Sequence, residues 1–284
     1  MTILVTGATG HLGRLIIDSL LERGASPQSI VAGVRDIAKA TELHDRGVRI
    51  AVVDYDRPET LPAALDGVDT VMLVSGSEVG RRVPQHAAVI EAAAAAGITK
   101  LVYTSAPTAP TSALVLAPEH KATEELIAAS GLPAVILRNN WYTENYAADL
   151  ARAAQTGTLA AGVGEGRVAS ASREDFAEAA AVVLLEDGHV GEAYELGGDV
   201  AWNYSDLAAA MTEVTGRPVA YQPLSAEEQR VALETAGLDA GTAGFVVALD
   251  AGIREGALAD TDGTLSRLIG RPTTPLIDGL RAVS

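Results

Sequence analysis

Three glycines, Gly7, Gly10 and Gly13, stand at i, i+3 and i+6 directly behind the apolar run Ile3-Leu4-Val5. With Ala8, Thr9, His11 and Leu12 between them, they can bring backbone N–H groups close to an anion, which side chains would obstruct. The first glycine of such a turn permits the tight bend. The second lets the backbone approach a pyrophosphate, and the third lets the next helix lie close on the strand. Behind them Leu12, Leu15, Ile16, Ser19, Leu20 and Arg23 fall at helical spacing, with leucine and isoleucine along one stripe. Strand, glycine turn and helix together predict a dinucleotide site.

A second position selects among dinucleotides. About 20 residues beyond such a turn, an acid accepts from a ribose 2′-hydroxyl, whereas arginine accommodates a 2′-phosphate. Arg35 lies 22 residues past Gly13, at the end of the run Ser29 to Val34. Asp36 competes with it, and would favour NAD if it pointed into the site. Its other reading is a cap on the next helix. The pair favours NADPH. Asp54-Tyr55, after a third strand, reads either as a pair flanking an adenine ring or as a capping aspartate with its neighbour.

The elements that must position these residues alternate along the first half of the chain. Apolar, β-branched runs predict strands at about 2–6, 29–34, 49–53, 69–74, 99–104 and 133–138. Helical patterns fill the gaps at about 12–23, 36–46, 59–65, 83–96 and 118–130. The expected fold class is α/β, a doubly wound parallel Rossmann sheet of order 3-2-1-4-5-6. Its ligand should lie beyond the carboxyl ends of the strands. Ser75-Gly76-Ser77, Thr104-Ser105 and Arg138 to Asn145 are therefore candidates alongside the glycine turn.

Residues 1–150 read as the dinucleotide-binding domain and 151–284 as a smaller cap or substrate domain, with a helix at 173–186 packing back on the sheet. Gly162, Gly164 and Gly166 do not read as a second phosphate loop, because no clean strand precedes them and no long amphipathic helix comes after.

Composition bounds the function. The chain has 284 residues and a formal charge of −16, and residues 186–284 carry sixteen acids against six bases. So acidic a surface repels a phosphate backbone, and nucleic-acid binding is not expected. Only three of the 21 basic residues are lysines, so arginine must supply most cationic contacts. There is no cysteine, hence no disulfide, thiolate metal site or cysteine nucleophile. Five scattered histidines show no ligand spacing, and no metal site is expected. No apolar run is long enough to span a membrane, and the chain opens as a strand rather than an export signal, so cytoplasmic placement is expected. A homodimer is an assembly this reading leaves open.

Gly7-Ala-Thr-Gly-His-Leu-Gly13 with Val34-Arg35 resembles the atypical short-chain dehydrogenases of the NmrA-like group. The blocks Ser75 to His86, Leu137 to Tyr146, Ala169 to Asp175, Tyr194 to Trp202 and Leu268 to Thr274 resemble that group's flavin-free bacterial NADPH:quinone oxidoreductases. The likeness runs essentially end to end. Triphenylmethane dye reductases share the scaffold, and some NmrA-like proteins are NADP-binding regulators without turnover. The resemblance implies cofactor contacts at Gly7 to Gly13, Arg35, Ser75, Gly76 and Ser77, and along Asn139, Asn140, Trp141, Tyr142, Thr143 and Glu144.

Short-chain dehydrogenases that reduce ordinary ketones use a Tyr-x-x-x-Lys pair to protonate the nascent alkoxide. None of the seven tyrosines has a lysine four residues on. An acceptor such as a quinone needs no such acid, since hydride converts it to a stable aromatic anion. The protein then has mainly to hold two rings face to face. Trp141, Tyr142 and Tyr146, with the amides of Asn140 and Asn145, are the candidate acceptor pocket. If 141–146 is helical, Trp141 shares a face with Asn145, and Tyr142 with Tyr146. Gln85-His86 and His120-Lys121 are further candidates for positioning or proton donation. The expected activity is direct hydride transfer from NADPH to a quinone or similar electrophile, without flavin or metal.

Overall fold

The computed structural model describes all 284 residues. Six strands occupy the apolar runs: β1 (Ile3–Val5), β2 (Ile30–Val34), β3 (Arg49–Val52), β4 (Thr70–Leu73), β5 (Lys100–Ser105) and β6 (Ala134–Asn139). They pair in parallel in the order 3-2-1-4-5-6, with Ile3 of β1 opposite both Ile30 and Thr70. β1, β2, β4 and β5 are buried along their whole length, which is why they read as continuous apolar runs. A seventh strand, Ala193–Leu196, adds to β6. Bonds from Ile136 N–H to Glu192 O and from Asn140 N–H to Leu196 O advance together along both segments, so this edge is parallel too.

The helices between the strands are α1 (His11–Glu22), α2 (Thr41–Asp45), α3 (Leu61–Ala64), α4 (Arg82–Ala96) and α5 (Ala117–Ser130). The helices expected at 36–46 and 59–65 are shorter, because each opens as a 3-10 turn, Ile37–Ala40 and Pro58–Thr60. In the second of these, Pro62 lacks the N–H that would bond back to the Pro58 carbonyl in a helix begun at 58.

The chain forms two compact units. The first takes residues 1–110, 118–139 and 173–195. Its helix Arg173–Leu185 packs on α1 and is buried on nearly every side. Lys100 of β5 fastens that helix: its buried Nζ donates to the carbonyls of Val183 and Leu184, 2.9 Å each, which have no partner further along the helix. Burial lowers the pKa of this amine.

The second unit takes 111–117, 140–172 and 196–284, around a core that includes Leu150, Leu159, Trp202, Leu207, Met211 and Ile253. The division falls between Asn139 and Asn140 rather than near 150. Asn140 belongs to the second unit because its N–H donates to Leu196 O (2.8 Å) and its Nδ2 to Leu258 O (3.3 Å). A strand does precede the glycines at 162–166: Thr158–Ala161, paired with Ala220–Pro223. The next element after them is the short strand Arg167–Val168, not a helix. These glycines serve close packing instead, since a Cβ on Gly166 would lie 2.5 Å from Ile253 O and one on Gly162 would collide with Gln229.

Candidate functional site

At the carboxyl end of β1, Gly7 takes φ +59°, a left-handed conformation open to glycine, and its carbonyl accepts Gly10 N–H at 2.8 Å. A Cβ on Gly13 would lie 2.8 Å from the Gly7 carbonyl carbon, so a side chain there would force helix and turn apart. Gly10 caps α1 with no side-chain bond to the first turn. The leading N–H groups of α1 thus lack intrahelical acceptors, at the positive end of the helix dipole. Gly7, Thr9, Gly10 and His11 face solvent, while Ala8, Leu12 and Gly13 are buried; Ala8 N–H is spent on Gly33 O (3.1 Å), and Leu12 and Gly13 can offer backbone alone. This cradle fits a diphosphate, and a side chain at Gly13 would destroy it.

The neighbouring strand ends are tied to one another by hydroxyls. Thr6 Oγ1 accepts Val74 N–H at 3.0 Å, and Thr104 Oγ1 accepts Ser75 N–H at 2.8 Å. The Tyr55 hydroxyl sits 2.6 Å from Thr6 Oγ1, and burial pushes its pKa up to about 12. Tyr55 is thus a buttress beneath β1 and β4. Asp54 caps its own turn: it accepts Asp56 N–H and Arg57 Nε, and the Arg57 guanidinium holds its carboxyl below the usual range.

Ser75, Gly76 and Ser77 come directly after β4, and Gly76 is gripped at both ends of its backbone. Its N–H donates to His86 Nε2 (3.0 Å), and its carbonyl accepts from Arg82 Nε (2.8 Å). Arg82 is buried and pairs with Glu119 at 2.7 Å, and Glu119 also accepts Gly80 N–H. Because Nε2 of His86 accepts, Nδ1 carries the proton and faces Thr123 Oγ1 at 3.0 Å. Burial, with the Arg82 charge adding, lowers the His86 pKa to about 3, so the ring is neutral. His86 is therefore a loop anchor rather than a substrate contact. His120 is likewise buried, 2.8 Å from the Tyr103 hydroxyl, with its pKa lowered to about 3. Lys121 beside it is exposed, so the two do not form a donor pair.

Arg35 extends from the end of β2, 72% exposed, with Nη1 3.4 Å from Glu78 Oε1. Asp36 turns away from that role: its Oδ1 accepts Ala38 N–H at 3.0 Å and caps the 3-10 turn.

In the second unit, residues 141–143 run extended beside 169–172. Thr143 N–H donates to Ala171 O and Ala171 N–H to Trp141 O. Only Thr143–Tyr146 is helical, as a 3-10 turn, so the face-sharing expected for a helix over 141–146 does not arise. Trp141 and Tyr142 are half-buried and Asn145 is exposed. Tyr146 is buried in an aromatic cluster, 5.2 Å from the Trp202 ring centre, with its hydroxyl 3.4 Å from that of Tyr204. Burial raises the pKa of that phenol. Asn140 is committed to the backbone, and Asn139 is buried at the end of β6. No group of three or more His, Asp or Glu side chains is arranged to hold a metal ion, and no helix is long and apolar enough to cross a membrane.

A parallel doubly wound sheet whose first βα turn offers a bare helix N-terminus defines a dinucleotide-binding protein. The NAD(P)H-binding family profile matches residues 7–187, and the chain belongs to that family. It is 46% identical over 278 residues to quinone oxidoreductase 2 of Escherichia coli K12, covering 98% of this chain and 97% of that one. The crystal structure of an E. coli NADPH-dependent quinone oxidoreductase complexed with NADPH superposes with a TM-score of 0.96 at 45% identity, covering 99% of each chain. Triphenylmethane reductase of Citrobacter sp., complexed with NADP(H), gives 0.94 at 36% identity over the whole of both chains.

Proposed function

We propose that this chain reduces quinones with NADPH, without flavin or metal. The observation that carries the reading is the end-to-end likeness to the E. coli quinone oxidoreductase, with the glycine cradle intact. Bound NADPH supplies the hydride. The turn from Gly7 to Gly13 holds its diphosphate through the leading N–H groups of α1, Arg35 holds the 2′-phosphate, and Ser75, Gly76 and Ser77 line its path with Asn139. Trp141 and Tyr142 hold the flat acceptor, with the exposed Asn145 beside them. Tyr146, buried, supports that segment from behind. The acceptor's oxygen takes its proton from water or a weak donor, since no tyrosine has a lysine four residues on. We place the reaction in the cytoplasm, since the chain carries no disulfide framework that would point to an oxidising compartment.

Steady-state NADPH oxidation with and without 1,4-benzoquinone tests the reading. Quinone-dependent turnover by flavin-free protein is the expected result. Tight NADPH binding with no turnover would replace it with a regulatory role, and turnover on a triphenylmethane dye alone would move the acceptor class.

A further inference from the structure

Glu78 lies between two arginines at the end of the β4 loop. Its Oε1 faces Arg35 Nη1 at 3.4 Å, and its Oε2 faces Arg81 Nη1 at 3.2 Å. A phosphate would use the same pattern, two oxygens each met by a different guanidinium. Arg81 is also held from behind. Its Nη2 lies 2.8 Å from Asp56 Oδ1, and Gln85 Nε2 donates to the same oxygen at 3.1 Å. The Arg81 guanidinium is therefore fixed in direction while its side chain stays 60% exposed.

We propose that Arg81 is a second cation of the 2′-phosphate site, and that Glu78 bridges it to Arg35 until the phosphate takes the carboxylate's place. The inference rests on the reading of Arg35 as the 2′-phosphate residue. Exposed ion pairs of this kind contribute little, so giving up the Glu78 contacts costs little. A phosphate monoester carries nearly two charges and three acceptor oxygens, and answers both guanidiniums more strongly than one carboxylate does. Glu78 then acts as a placeholder. It keeps the two guanidiniums paired until nucleotide binds and, by competing with the phosphate, lowers its affinity.

The test is calorimetric titration with 2′,5′-ADP, which carries the 2′-phosphate, and with 5′-AMP, which does not. Arg81→Ala should weaken 2′,5′-ADP by about tenfold and leave 5′-AMP unchanged. Glu78→Gln removes the competing charge, and should tighten 2′,5′-ADP several-fold without affecting 5′-AMP. Equal losses for both nucleotides in Arg81→Ala, or no loss, would overturn the proposal, as would weaker 2′,5′-ADP binding by Glu78→Gln. Arg35→Ala separates the two readings. If it weakens 2′,5′-ADP while Arg81→Ala does not, the role of Arg35 stands and that of Arg81 fails; if neither does, both fail.

Discussion

Replacing Arg35 by alanine should weaken NADPH tenfold to a hundredfold and leave NADH nearly unchanged, because a charge-assisted contact contributes roughly 1.5–3 kcal/mol. Fluorescence titration with the two nucleotides measures the ratio, and equal losses would show that Arg35 does not read the phosphate. Trp141→Ala and Tyr142→Ala should each lower quinone turnover by about tenfold or more through lost positioning, with NADPH affinity preserved. Turnover and NADPH titration on the same preparations check this. Single residues were unevenly legible in the sequence. The glycine turn and the place of Arg35 at the end of β2 declare themselves by spacing. The burial of Tyr146 does not, because Trp202 and Tyr204, which enclose it, lie more than fifty residues further along the chain.

Among the elements, β1 to β6 match their expected spans within a residue or so at each end; β1, β2, β4 and β5 do so because strands covered on both faces must be apolar throughout. The seventh strand, Ala-Tyr-Glu-Leu, was not visible in that way, being short and only partly buried. The side-chain grip on Gly76 was equally silent, since His86, Arg82 and Glu119 have no local signature and meet only when α4 and α5 flank the β4 loop. His86→Leu leaves Gly76 N–H without an acceptor, which should cost about 1–3 kcal/mol of stability and weaken NADPH several-fold. His86→Gln offers a carbonyl in place of Nε2 and should recover both losses. Thermal unfolding and NADPH titration of the pair decide whether the acceptor, rather than ring packing, holds the loop.

At the scale of the whole molecule, the two buried neutral imidazoles tie stability to pH. Their folded pKa values, near 3, lie below the unfolded value of about 6.5. As pH falls between those limits the unfolded chain gains protons that the folded one refuses. The stability they contribute is therefore complete above about pH 6.5 and is lost toward pH 3, at up to about 1.4 kcal/mol per pH unit for each ring. Asp149 and Asp250, whose carboxyl pKa values are raised by burial, act with the opposite sign. Urea midpoints measured from pH 7 to pH 4 should fall less steeply for His86→Gln than for the parent chain. Identical slopes would show that the His86 ring titrates normally.

The route of the chain through the first unit carries a consequence for its biosynthesis. The protein leaves that unit after Asn139, threads residues 140–172 elsewhere, and returns with the helix Arg173–Leu185 that covers α1 and the strand that closes the sheet edge. A nascent polypeptide halted at residue 150 would have every phosphate-facing glycine in place and yet leave α1 without its packing partner. The nucleotide-binding half therefore cannot mature on the ribosome ahead of the rest. It must wait for about 45 more codons to be translated, and a gene fragment ending at 150 should yield sticky, protease-sensitive material, whereas one must reach past residue 195 to encode that half complete.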